Sequence, residues 1–127
     1  MHNEHGEALI YVKDNIIVAE LIGAFNEEGA KKYTQDIKNI VNESQNKNIF
    51  ILVNDLKVEG GTPEAYQELE KHNHWLTTHN LIAKAIVIKS AATVELLEKL
   101  SPSQKQQNCK IFDNESDAFT WLRSFQR

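Results

Sequence analysis

The residues of this chain whose types and order could do chemistry gather in one stretch, Asn54-Asp55-Leu56-Lys57-Val58-Glu59-Gly60-Gly61-Thr62-Pro63. Paired glycines just before a helix let backbone N–H groups approach a ligand closely, and the helix N-terminus adds partial positive charge. One reading is therefore an anion pocket, or a Thr62 hydroxyl placed for phosphorylation. The plainer reading is a capped turn, with Gly60 and Gly61 for unusual backbone angles, Thr62 as N-cap and Asp55 bonding its own loop backbone. Glu59 and Glu64 would repel an anion there, and no lysine precedes Thr62 as a phosphate-cradling P-loop requires. The capped turn is the stronger expectation.

Five histidines invite a metal reading. His72 and His79 lie about two helical turns apart, roughly 10 Å, too far to share one zinc ion without a bend. His74 points elsewhere, and His-x-x-x-His, the helical spacing that zinc favours, is absent. Glu68–His72 and Glu70–His74 are i,i+4 and read as ordinary surface pairs. Neither metal nor cofactor is expected. There is no Gly-x-Ser-x-Gly elbow, and the single cysteine, Cys109, sits in a predicted edge strand and reads as a small buried hydrophobe. A small enzyme using Asp55 or His72 has no motif behind it and ranks last.

The 127 residues, 41% apolar, supply one hydrophobic core and too little for two ordinary domains. Lys+Arg 14 against Asp+Glu 18 gives a net charge of −4, so no basic field exists to draw in nucleic acid. A lone cysteine excludes an internal disulfide. The polar, acidic N-terminus lacks the features of a secretion signal, and no apolar run approaches the ~18 residues that span a bilayer. A cytoplasmic protein is the expectation.

The elements that must position the stretch 54–63 follow from pattern. Residues 8–13 and 16–22 are β-rich runs separated by Asp14-Asn15, a hairpin signal. Asn26 caps a helix carrying Ala30, Tyr33, Ile37, Ile40 and Val41 on one face, with Glu27–Lys31 and Glu28–Lys32 pairs on the other. Residues 49–53, Ile-Phe-Ile-Leu-Val, suit a strand buried on both sides. Thr62-Pro63 opens a second helix with Ala65, Leu69, His72, Leu76 and His79 on one stripe and Tyr66 and Trp75 beside it. A strand over 82–89, a helix over 91–100, an edge strand over 109–112 and a last helix capped by Asn114 complete the chain. The order β-β-α-β-α-β-α-β-α predicts a single α/β domain, 1–127, with a mixed, mostly parallel sheet and a flexible tail over 1–7. In such sheets sites gather beyond the carboxyl ends of the strands, where 54–63 falls.

This arrangement resembles the STAS/SpoIIAA-like superfamily, named for bacterial anti-sigma-factor antagonists. The resemblance rests on element order and on the stretches IFILVNDL (49–56), AKAIVI (83–88) and DAFTWL (117–122). More narrowly, it looks like the small stand-alone bacterial SpoIIAA-like proteins, whose fold class is shared with CRAL-TRIO lipid-binding domains. The resemblance implies a non-enzymatic module for a protein partner or a small apolar ligand. In the antagonists a phosphorylated serine in an Asp-Ser pair opens the second helix. Here that stretch reads Gly60-Gly61-Thr62-Pro63, so the pair is missing and the phospho-switch is not carried over.

The leading expectation is a binding module for an apolar or amphipathic small molecule. Asp55, Gly60, Gly61 and Thr62 are its contact candidates, with Tyr66, Leu69, Trp75 and Leu76 as pocket walls. The alternative is a regulatory protein-interaction module of the anti-sigma-antagonist kind, with or without a phospho-switch near Thr62. Self-association as a homodimer is a further expectation, suggested by the strand edge at 109–112.

Overall fold

The computed structural model describes residues 5–45, 47–100 and 107–126. It opens with the expected hairpin, β1 (Glu7–Lys13) and β2 (Ile16–Phe25). Asp14 and Asn15 both take positive φ, 53° and 62°, the conformation that a two-residue type I′ turn demands. Helix α1 (Glu27–Glu43) follows, its Asn26 cap accepting a hydrogen bond from the Gly29 N–H. Then come β3 (Ile49–Gly61), α2 (Pro63–Thr77), β4 (Leu81–Val87), α3 (Ala91–Leu100), β5 (Cys109–Phe112) and α4 (Glu115–Arg123). The element order is the predicted one. The five strands lie in sequence order, β1 antiparallel to β2 and the rest parallel, in a single α/β domain.

Side chains alternate across this sheet with the period of two that any strand imposes. Ile17, Ala19 and Leu21 of β2 and Ile49, Ile51 and Val53 of β3 face α1 and α2, where Ala30, Tyr33, Ile37, Val41, Ala65 and Leu76 complete one core. Ile16, Val18, Phe50, Leu52, Ala83, Ala85 and Val87 face the other way, against Ala118, Phe119 and Leu122 of α4. Both faces of β3 and β4 are thus covered, which is why their sequences read as continuous apolar runs.

Three local readings change. The third strand does not end at Val53; it continues to Gly61, so most of the expected loop 54–63 is strand. The cause is β2, which runs past Ile22 to Phe25 and pairs with this extension through two register shifts, at Glu20/Ile22 and Gly23/Ala24. Gly60, at φ 120°, supplies a conformation that a side chain would resist. The segment 1–7, expected as a tail, lies outside the described residues up to residue 4, but His5 is clasped to Asn26 and Glu7 already belongs to β1. On α1, Lys31 pairs with Glu27 at 3.2 Å as expected, whereas Lys32 turns to Asp36 at 3.1 Å instead of Glu28.

Candidate functional site

The carboxyl ends of β2 and β3 meet the start of α2 beside Phe25. The Thr62 N–H donates to the Phe25 carbonyl at 2.9 Å, closing the ladder, and the Thr62 hydroxyl then accepts from the Ala65 N–H at 3.1 Å. Thr62 is thus the helix cap that the plainer reading required. Glu59, Gly61, Thr62, Pro63 and Glu64 are all exposed and form a ridge held by strand pairing on one side and helix capping on the other.

Behind the ridge, two small adjoining cavities lie between the sheet and α2, sharing Leu21, Tyr33, Asp55 and Leu69 as walls. The outer one adds Phe25, Gly60, Gly61 and Tyr66; the inner one adds His72, Asn73, Lys84 and Ile86. Each holds about 40 Å³. That is water-sized, well below the ~300 Å³ at which small-molecule pockets begin. A much larger depression of about 940 Å³, lined by Asp14, Lys47 and Arg123 among others, is an open basin at the opposite, amino end of the strands.

The inner cavity is polar because strand alternation places two charged residues where apolar ones normally stand. Asp55 follows Ile51 and Val53 onto the α2 face of β3, and Lys84 shares that face of β4 with Ile86. Lys84, only 6% exposed, donates from its ammonium to Asn73 Oδ1 at 2.9 Å. Burial pulls the pKa of Lys84 down, opposed by the nearby Cys109 and Asp55. Asp55 is half-buried as a residue, but its Oδ1 is sealed from water and has no hydrogen-bond partner. Burial pushes its carboxyl up to about 7 against the counter-pull of Lys84. His72, 3% exposed, has both ring nitrogens buried without partners; burial, then Lys84 and Lys38, push it down to about 3. Tyr33 packs edge-on to His72 at 5.9 Å, and burial followed by Asp55 raises its hydroxyl.

Several expectations meet this geometry differently. Asp55 does not bond its own loop backbone; Asn54 does, its Oδ1 accepting from the Leu56 N–H at 2.9 Å, while Asp55 turns inward. His72 is not a surface partner of Glu68, because the α2 stripe turns it under the helix, and Glu68 pairs with Lys71 at 3.2 Å. Glu70–His74 is the ordinary exposed pair expected, at 3.1 Å. Tyr66 and Leu69 line the outer cavity with Gly60, Gly61 and Asp55. Leu76, 1% exposed, belongs to the core, and Trp75, half-buried, packs against that core and lines neither cavity, stacked on His79 at 3.8 Å with Lys38 Nζ 5.4 Å from its ring centre. Cys109 is half-buried on β5 opposite Lys84.

Lys84, Asn73 and Tyr33 were missed as site residues. The signal for Lys84 was present: a lysine inside Ala-Lys-Ala-Ile-Val, in a strand of a mostly parallel sheet, whose strands are normally covered on both faces, has nowhere to go but inward. Among the described residues no group of three or more His, Cys, Asp or Glu could hold a metal ion, and no helix is long and apolar enough to cross a membrane.

Comparison with known proteins gives this geometry its relatives. A protein of the DUF3478 family with a SpoIIAA-like fold from Shewanella loihica superposes with a TM-score of 0.68 at 14% identity, covering 96% of this chain and 97% of its own. An anti-sigma factor antagonist from Mycobacterium paratuberculosis gives 0.67 at 18% identity over 94% and 95% of the two chains. The anti-sigma factor antagonist SpoIIAA in its unphosphorylated form gives 0.68 at 10% identity over 92% and 98%. No curated protein matches by sequence. These likenesses establish the fold, and the SpoIIAA-like family model matches residues 16–123, most of the chain. The ridge at the end of β3 and the polar chamber behind it are therefore features of a protein that belongs to the SpoIIAA-like family.

Proposed function

We propose that this protein is a non-enzymatic regulatory module that binds a protein partner through the ridge Glu59–Glu64. The observation that carries this reading is the contrast between the ridge and the chamber behind it. The ridge is exposed and held rigid by the β2–β3 ladder and the Thr62 cap, while the cavities hold about 40 Å³ each. A rigid exposed ridge can meet a protein surface without rearrangement. Membership of the SpoIIAA-like family and the fold shared with two anti-sigma factor antagonists support the same reading. Glu59 and Glu64 flank the ridge, so it suits a partner surface carrying Lys or Arg.

The test is a photo-crosslinking residue placed at Glu64 and, as control, at Asp36 on the far side of α1. In cells of the source organism the Glu64 probe gives one discrete adduct and the control does not. Glu59→Lys in the Glu64-probe chain abolishes that adduct while leaving the melting temperature unchanged. Equal adducts from both probes, or none from either, would sink the proposal.

The small-ligand reading rests on the apolar walls Leu21, Phe25, Tyr66 and Leu69 of the outer cavity. A fatty-acid-sized molecule needs several times the present space, so α2 would have to part from the sheet to admit it. Native mass spectrometry of the purified protein decides this point. A stoichiometric lipid-like mass favours the ligand reading, and a clean apo mass leaves partner binding ahead.

A further inference from the structure

Both edges of the sheet are single strands, and they are built differently. The β5 edge is four residues long and carries Lys110 inside it, the usual way a protein discourages another strand from pairing. The β1 edge has neither safeguard. Its seven residues, Glu-Ala-Leu-Ile-Tyr-Val-Lys, contain no proline, and their pairing with β2 shows no bulge. The five residues between its terminal charges are all apolar, and Leu9, Tyr11 and Val12 are 48%, 47% and 56% exposed.

The backbone of β1 decides how a further strand would pair. Lys13 and Ile16 flank the two-residue turn and form its hydrogen-bonded pair, so Lys13, Tyr11, Leu9 and Glu7 turn their N–H and C=O groups toward β2. Ala8, Ile10 and Val12 therefore turn theirs outward. An antiparallel copy of β1 centred on Ile10 meets all three at once: Ile10 opposite Ile10, and Ala8 opposite Val12 on either side. The same register sets Glu7 opposite Lys13 at both ends of the strand. It also sets Leu9 opposite Tyr11 in the closer, non-hydrogen-bonded spacing that favours side-chain contact on the exposed face.

We infer that β1 is a homodimerisation strand, pairing antiparallel with β1 of a second copy about a two-fold axis at Ile10, so that one continuous sheet runs through both molecules. The occupant is a second copy because the strand is complementary to itself in three respects: outward hydrogen-bonding groups, end charges and exposed apolar side chains. The interface is separate from the ridge at residues 59–64, so the dimer and the ridge reading stand or fall independently.

The experiment is sedimentation velocity over a concentration series, on the wild type and on charge variants at the two ends of β1. The wild type shows a reversible monomer–dimer equilibrium. Glu7→Lys places lysine opposite Lys13 at both ends, and Lys13→Glu places glutamate opposite Glu7; each raises the dimer Kd at least about tenfold. The double variant Glu7→Lys/Lys13→Glu restores opposite charges and returns the Kd to within about threefold of wild type. An equimolar mixture of the two single variants forms a heterodimer. A wild type that stays monomeric up to its solubility limit, or a dimer whose Kd the single variants leave unchanged, overturns the assignment. Melting temperatures confirm that each variant is folded.

Discussion

The Lys84 ammonium sits beneath α2 and donates to the Asn73 side-chain oxygen at 2.9 Å, both residues being at most 6% exposed. Asn73 is fixed in turn by its place on α2, where its carbonyl accepts from both Gln107 Nε2 at 2.8 Å and the Thr77 hydroxyl at 3.0 Å. One hydrogen bond thus ties the second helix to the fourth strand through a charge taken out of water. Removing a single partner of a buried charge is far more damaging than removing both. Asn73→Leu is expected to lose about 3–5 kcal/mol in urea denaturation. Adding Lys84→Met to that variant recovers most of the loss, because the ammonium that needed solvating is gone. If Asn73→Leu loses less than about 1 kcal/mol, the ammonium has another route to a partner or to water.

The chamber also predicts two opposed pH dependences. Asp55 has a folded pKa of about 7 against 3.8 for the free side chain. The folded state therefore holds the extra proton, and stability from this group is full below about 3.8 and is lost as pH rises toward 7. His72 is pushed down to about 3 from 6.5, so its contribution is full above 6.5 and is lost as pH falls toward 3. Between 3.8 and 6.5 the two slopes cancel in the wild type. Asp55→Asn unmasks His72, and stability then rises with pH by up to about 1.4 kcal/mol per unit. His72→Leu unmasks Asp55, and stability falls with pH at a similar rate. Urea denaturation at successive pH values reads both slopes; parallel curves for the two variants refute the opposition.

Gly29 gives a prediction whose sign runs against helix propensity. In an exposed helix Gly→Ala gains up to about 1 kcal/mol. Here a Cβ on Gly29 would overlap the His5 carbonyl oxygen, the group that accepts from the Asn26 N–H at 3.2 Å. The His5 N–H donates in return to Asn26 Oδ1 at 2.9 Å, so the clasp between the start of β1 and the α1 cap lies directly in the way. Gly29→Ala should destabilise by about 1–3 kcal/mol in thermal unfolding and speed hydrogen exchange at the Asn26 amide. A stabilised variant would mean that the segment before β1 yields readily.

The fold was legible wherever period and punctuation agreed. Asp14-Asn15 marked the hairpin, Asn26, Thr62 and Asn114 marked helix starts, and each of those three side chains accepts the capping hydrogen bond its position predicts. The end of β3 was illegible because Leu56-Lys57-Val58-Glu59-Gly60-Gly61 has the composition of a loop. Only the unexpected length of β2 gives it a partner, and that pairing is a tertiary fact no local pattern contains. The site was half legible for a related reason. Asp55, Tyr66 and Leu69 stood out by type and position, whereas Lys84 and Asn73 matter only because β4 and α2 enclose them.

Thr62 separates the structural role of its hydroxyl from a regulatory one. Its oxygen caps α2, so Thr62→Ala should cost about 1 kcal/mol in chemical denaturation. Thr62→Asp keeps an acceptor in the same place and adds a charge that the helix N-terminus favours, so its stability should stay within about 0.5 kcal/mol of wild type. Phosphorylation would add charge at this position too, next to Glu59 and Glu64. If the ridge binds a partner bearing Lys or Arg without a phospho-switch, Thr62→Asp holds or strengthens the adduct captured by the Glu64 probe. If Thr62→Asp abolishes that adduct at unchanged stability, added negative charge releases the partner, and the hydroxyl is a switch after all.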